Sequence, residues 1–310
     1  MDRMVVNALT IDLEDWYQAS EVQAAIGREN WTRCEERLEG STYRLLALLD
    51  EAGVKATFFV LGWNAERYPH LVWEIWRRGH EVAIHGFMHS PIYDQTPVQF
   101  RWEIEECLRL VEDITGERPV GHRGECFSIV PRSLWALEAL ADLGLRYDST
   151  VFPVNHSRYG LPQSPRQPYR IQRRGAHLLT EFPISTVCAW GRNLGFSGGA
   201  HLRLLPMWLV TRGIEWLNRR HLPAVVYLRP WELDTGQPRV RLDRLASLRH
   251  YGNLAQGEER LRHLLGTYEF GTMREVLGGI EHTLPCHSLE AAHEWALGRG
   301  AVPSHSPQVT

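Results

Sequence analysis

Paired cysteine is missing from this sequence. Cys34, Cys107, Cys126, Cys188 and Cys286 are scattered without a CxxC spacing, and five thiols cannot all pair within one chain, so they read as reduced. No stretch approaches the roughly 18 unbroken apolar residues of a spanning helix. The opening MDRMVVNALTIDLEDW lacks the apolar core of a signal peptide, so the expectation is a cytoplasmic chain that is not an integral membrane protein. Excess positive charge is absent too: a net charge of −3 argues against nucleic acid or an anionic membrane as the partner of the whole surface. Finally, no glycine-rich phosphate loop follows the first strand-like run, which speaks against an open nucleotide-binding sheet.

What is present is an ordinary soluble composition, 310 residues with 44% hydrophobic, enough for one large domain or two small ones. Twelve tryptophans stand out. Trp16, Trp31, Trp63, Trp73, Trp76 and Trp102 fall in the first third, where they read mainly as packing residues and secondarily as floors for sugar rings.

Short apolar runs alternate with helical patterns. Val5 to Ile11, KATFFVL, EVAIH, RPVGH, GLRYD, LLTEFPI and AVVYL read as seven strands. Between them lie helices: one with Ser41 or Thr42 as N-cap and Gly53 as its stop, one from Pro69 to Arg78, one opening at Thr96 and Pro97 and ending before Gly116, one from Pro131 to Leu143, and one around Leu205 to Asn218. This alternation predicts a closed or nearly closed β/α barrel, whose chemistry belongs at the C-terminal ends of the strands. Pro153 to Arg174 reads as a long surface loop near the mouth. Residues 237–277 read as an extension of a barrel domain spanning 1–285, and residues 286–310 as a flexible tail.

ALTIDLEDWY places Asp12, Glu14 and Asp15 where the first strand ends. Buried unpaired, such carboxylates would each cost several kcal/mol, so they are either solvated or held by cations. EVAIHGFMHSPIYD places His85 and His89 four apart at the end of the third strand. Two histidines and a carboxylate make a common ligand set for catalytic zinc with one position left open, and all these residues lie at strand C-termini of the same predicted barrel.

On these motifs the chain resembles the NodB-type polysaccharide deacetylases, carbohydrate esterases that remove acetyl groups from polysaccharides. LTIDLEDWY, HGFMH, GHRGECFSI and YDSTVFP are similar to the family's first four motifs. FSGGAHLRLLP, YLRPWELDTGQPR and LRHYGNL resemble the branch encoded with bacterial exopolysaccharide and exosortase loci. The resemblance implies an irregular (β/α)7 barrel with a C-terminal extension, a divalent metal ion such as zinc, and a polysaccharide or lipid-linked glycan as substrate. It implies Asp12 as general base, Glu14 or Asp15 with His85 and His89 as metal ligands, and Arg123 orienting the base.

Two departures follow from the same comparison. Arg229 stands where the family carries a histidine acid, and guanidinium, with a pKa above about 12, stabilises negative charge but is a poor proton donor. Gly124, Glu125 and Cys126 replace the usual Ala-Pro-Ser; Glu125 could pair with Arg229 or Arg123, or serve as a substitute acid. Asp148, Trp231 and Glu232 are candidate substrate-binding residues. The alternatives to a deacetylase are a catalytically impaired homologue that binds metal or glycan, and an amidase for small cyclic amides.

Overall fold

The computed structural model describes residues 5–156 and 158–296. Its strands are β1 (Asn7–Leu13), β2 (Thr57–Val60), β3 (Glu81–Ile84), β4 (Gly121–His122), β5 (Tyr147–Asp148), β6 (Tyr169–Arg173), β7 (Ala176–Glu181), β8 (Thr186–Ala189), β9 (Arg192–Gly195), β10 (Val225–Leu228), β11 (Phe270–Gly271) and β12 (Cys286–Ser288). The main sheet runs β10-β1-β2-β3-β4-β5-β7-β6-β12, with β11 added beside β1, while β8 and β9 form a separate hairpin. The seven strands from β10 to β7 in that order are parallel, and each is one of the seven expected from sequence.

The reason is burial on two faces. β1, β2 and β3 are buried along their whole length, the signature of parallel strands covered by helices. Alternate residues then divide between two cores. Leu9, Ile11, Leu13, Phe58 and Val60 pack outward among the helices, whereas Ala8, Phe59, Ala83, Tyr147 and Tyr227 fill the interior.

The barrel is irregular because its ladder does not close between β7 and β10. The gap is spanned by irregular backbone: Ser185 Oγ accepts from Val225 N at 2.8 Å, and the Ser197 carbonyl accepts from Tyr227 N at 3.1 Å.

Helix Pro97–Thr115 starts at Thr96 with a capping box to Gln99, as the sequence predicts. Helix Leu38–Ala52 instead starts ahead of the expected Ser41 or Thr42 cap, because a carboxylate from β1's end, Asp15, accepts the N–H groups of Arg37 and Leu38. Gly53, left-handed at φ 66°, ends it.

The region read as a loop up to Arg174 closes with a strand, β6, antiparallel to β7. Tyr169 and Ile171 alternate inward there and are buried. Residues 286–296 correct the expected tail: β12 pairs with β6, and Leu289, Ala292 and Trp295 of helix Leu289–Ala296 are buried, Trp295 lying edge-on to Tyr169. The rest of that expected tail, 297–310, lies outside the described residues. The 237–277 extension returns to the barrel through β11, which pairs with Asn7 and Ala8.

Candidate metal and catalytic site

The strand period sets the site. Ala8, Thr10 and Asp12 of β1 share its interior parity, and Glu14 follows on the same side, while Asp15 has the opposite one. Asp15 accordingly turns away. One oxygen accepts from Trp16 N at 2.7 Å and the other from Arg37 N and Leu38 N at 2.8 and 2.9 Å. Burial pushes its carboxyl up to about 6, against the pull of those N–H donors. Its acceptor capacity is spent on helix ends, so Asp15 is corrected from a candidate ligand to a cap.

Glu14 is the carboxylate that meets the histidines. Its Oε1 lies 3.2 Å from both His85 Nε2 and His89 Nε2. The histidines do not sit on a helical turn; the chain doubles back instead, with Gly86 at φ 72° and His89 itself left-handed at φ 50°. Gly86 is required there, since a Cβ would stand 1.8 Å from Glu125 Oε1.

Burial works against a charged Glu14, but Arg229 and the two histidines hold its carboxyl well below the usual range. His85 Nδ1 hydrogen-bonds the Arg123 carbonyl at 2.6 Å, which fixes the ring with Nε2 toward Glu14. His89 Nδ1 lies 3.3 Å from the Gln23 side-chain amide. Ligand atoms of Glu14, His85 and His89 fall within 4.8 Å of one another, all three residues are buried, and beyond its 3.2 Å approach to Glu14, His89 Nε2 makes no hydrogen bond among the described residues. Such a donor set fits a divalent ion such as zinc.

Asp12 is 1% exposed and held by Arg123, whose Nη1 donates to it at 2.8 Å. Arg123 is itself fully buried and fixed by Thr10 Oγ1, the Ser149 carbonyl and Ser149 Oγ, with its guanidinium 4.2 Å over the Phe59 ring. Thr10 and Ser149 escaped the sequence reading; Thr10 shares Asp12's parity and was findable on that ground.

Arg229 follows β10 and reaches across the mouth. Its Nε lies 3.0 Å from Glu14 Oε2, Nη2 3.6 Å from Asp12 Oδ2, and Nη1 3.6 Å from Glu232 Oε1. Burial opposes its charge, yet those carboxylates keep it firmly cationic. The suggested pairing of Arg229 with Glu125 is therefore corrected.

Glu125 forms no ion pair among the described residues. It is packed against Gly86, and burial pushes its carboxyl up to about 8, with the His85 charge pulling the other way. It is absent from the cavity wall, as are Asp12, His85 and His89, whereas Glu14, Arg229 and Glu232 line it. Asp148 is likewise corrected. It is fully buried, held by His122 Nδ1 at 2.6 Å and by Thr150, and offers nothing to a substrate.

A cavity of about 910 Å³ opens above these groups, with Glu14, Arg229, Trp231 and Glu232 in its wall. Trp231 stacks on His250 with ring centroids 4.3 Å apart. Glu232 is 2% exposed, its Oε1 lacks a hydrogen bond among the described residues, and burial raises its carboxyl against the pull of Arg203 and Arg229.

Fold and site together define an α/β barrel protein with a buried carboxylate and two histidines at the C-terminal ends of its strands. Comparison with known proteins narrows the class. Residues 34–147 match the polysaccharide deacetylase family and residues 149–278 a domain of unknown function (DUF3473). A peptidoglycan deacetylase-like protein of Gibberella zeae is 34% identical over 110 residues, 35% of this chain and 32% of that protein. A peptidoglycan-N-acetylglucosamine deacetylase of Bacillus cereus is 32% identical over 98 residues, 31% of this chain and 36% of that protein. The chain thus spans about a third of the length of these curated relatives. A Mycobacterium smegmatis protein assigned as a polysaccharide deacetylase shares the fold, with a TM-score of 0.62 at 19% identity over 93% of this chain and 94% of the other.

Proposed function

We propose that this protein is a metal-dependent hydrolase that removes acetyl groups from N-acetylated sugars of an exported polysaccharide or its lipid-linked precursor, in the branch tied to exopolysaccharide loci. The observation that carries the reading is the convergence of Glu14, His85 and His89 beside an arginine-held Asp12, with Glu14 itself reaching the wall of a large cavity. Glu14, His85 and His89 would hold the ion, with zinc suited to the set. When bound, such an ion lowers the pKa of water and polarises a carbonyl.

The chain's own residues supply the rest. Asp12 takes the proton of the attacking water, and Arg123 aims the carboxylate that accepts it. Arg229 stands beside both Asp12 and Glu14 as a fixed positive charge for the developing oxyanion. Guanidinium does not release a proton near neutral pH, so the leaving amine needs another donor. Glu232, in the cavity wall beside Arg229 with a raised carboxyl, fills that role.

The test is acetate release from chitooligosaccharides by zinc-loaded protein. Asp12→Asn should abolish release while zinc remains bound. Absence of bound metal, or release unchanged in Asp12→Asn, refutes the reading. Release that appears only after Arg229→His would assign the chain to the impaired homologues.

A further inference from the structure

Helix Arg244–Tyr251 is apolar on the wrong side. Its one buried residue is His250, whereas Leu245 and Leu248 are 55% and 53% exposed. Three residues apart, these leucines share a helix face. That face forms part of the cavity wall, where Leu204 and Leu205 continue the apolar surface inward. Single exposed leucines are unremarkable on a protein surface, but a helix that buries a histidine and presents its leucines is not built to satisfy its own core.

The charge around them is equally one-sided. Between Pro238 and Arg249 the sequence holds four arginines, Arg239, Arg241, Arg244 and Arg249, against the single acid Asp243. Asp243 is turned back onto the helix, accepting from Leu245 N and Ala246 N at 2.9 Å. Arg239, Arg241 and Arg244 are exposed, and among the described residues none of the three forms an ion pair; Arg239 only rests over the Tyr251 ring. The net charge of −3 speaks against an anionic surface as partner for the chain as a whole, but this stretch reverses it locally.

We propose that this rim docks on an anionic lipid bilayer. Leu245 and Leu248 enter the boundary between headgroups and acyl chains, Arg239, Arg241 and Arg244 meet lipid phosphates, and the cavity mouth opens at the membrane plane. Exposed leucines beside unpaired arginines supply the two contributions that peripheral attachment to an anionic bilayer needs, apolar residues for insertion and cations for the negative surface. Among the described residues no helix is long and apolar enough to cross a membrane, so the contact is peripheral.

Sedimentation with vesicles tests this independently of any acetate release. The full chain should pellet with vesicles of phosphatidylcholine mixed with phosphatidylglycerol, should stay in solution with phosphatidylcholine alone, and should be released by high salt. Arg241→Glu/Arg244→Glu should weaken binding at least about tenfold, with an unchanged thermal melt and unchanged release of acetate from soluble chitooligosaccharides, since neither arginine lines the cavity. Leu245→Ser/Leu248→Ser should also lose binding while keeping its melt. Wild type that ignores the anionic vesicles overturns the proposal, whether or not it self-associates or captures a protein through this face. Equal binding by both double variants overturns it too.

Discussion

Replacing Arg229 by glutamine should tighten zinc binding. The guanidinium Nε lies 3.0 Å from Glu14 Oε2, so the carboxylate that faces the two histidines through its other oxygen is already half neutralised. Unit charges about 4 Å apart are coupled by about 4 kcal/mol at an effective dielectric near 20. A divalent ion beside Glu14 meets repulsion of that order from Arg229, reduced because the arginine side chain is 18% exposed and Asp12 and Glu232 share its charge. A net gain of about 1–3 kcal/mol, roughly 5- to 150-fold in Kd, is the expected effect of Arg229→Gln. Competition against a fluorescent zinc chelator near neutral pH measures it, with Arg229→Lys, which keeps the charge, staying near wild type. Unchanged or weaker zinc binding in Arg229→Gln would mean that the guanidinium is not held against Glu14 in solution, and the electrostatic account of the site would fall with it.

Asp15→Ala should cost about 1–3 kcal/mol, read as a lower melting temperature, because three backbone N–H groups lose their acceptor; zinc affinity should not move. Glu125 binds its proton more tightly folded, at about 8, than as an ordinary carboxyl near 4.5. Its contribution is therefore present below about pH 4.5 and lost as pH rises toward 8. Glu125→Gln should gain melting temperature over wild type across that window, and a gain that shrinks toward alkaline pH would contradict the assignment. Glu232→Gln should lower kcat on N-acetyl substrates about 100-fold or more but spare an acetyl ester with a good leaving group, which needs no proton; equal losses on both would remove Glu232 as the donor.

Much of the barrel was legible because each parallel strand is a short apolar run between helix signals. The seven strands and the Thr96 cap follow from local pattern alone. β6 was hidden by the prolines and arginines around it, although Tyr169 and Ile171 carry the alternation of a strand. β12 has three residues and takes its order from pairing with β6, which no local signal announces.

In the site, the choice between Glu14 and Asp15 was open to a parity argument, since residues two apart on one strand share a side and the neighbour does not. The partner of Arg229 was not legible. It depends on how far β10 stands from β1 and on which carboxylates the closing barrel places opposite, both of which are long-range. Glu125 looked like a mouth residue from its motif, but the backbone at Gly124–Phe127 turns it beneath the histidine loop.

An arginine at position 229 also sets what pH can do to the site. Asp12, Glu14 and Glu232 face Arg123, Arg229 and Arg203, so buried acids and guanidinium groups balance before any ion enters. A divalent ion held by Glu14, His85 and His89 would add positive charge there, and Arg229 and Arg123 would stand ready for a developing oxyanion in a place that water screens poorly. With a histidine at 229, part of that positive charge would vanish as pH rose through its titration. Arginine keeps it at every working pH and removes a proton donor in exchange. If Glu232 donates the proton as proposed, burial having raised its carboxyl, the rate should fall on the alkaline side as that carboxyl loses its proton, and this limb should disappear in Glu232→Gln.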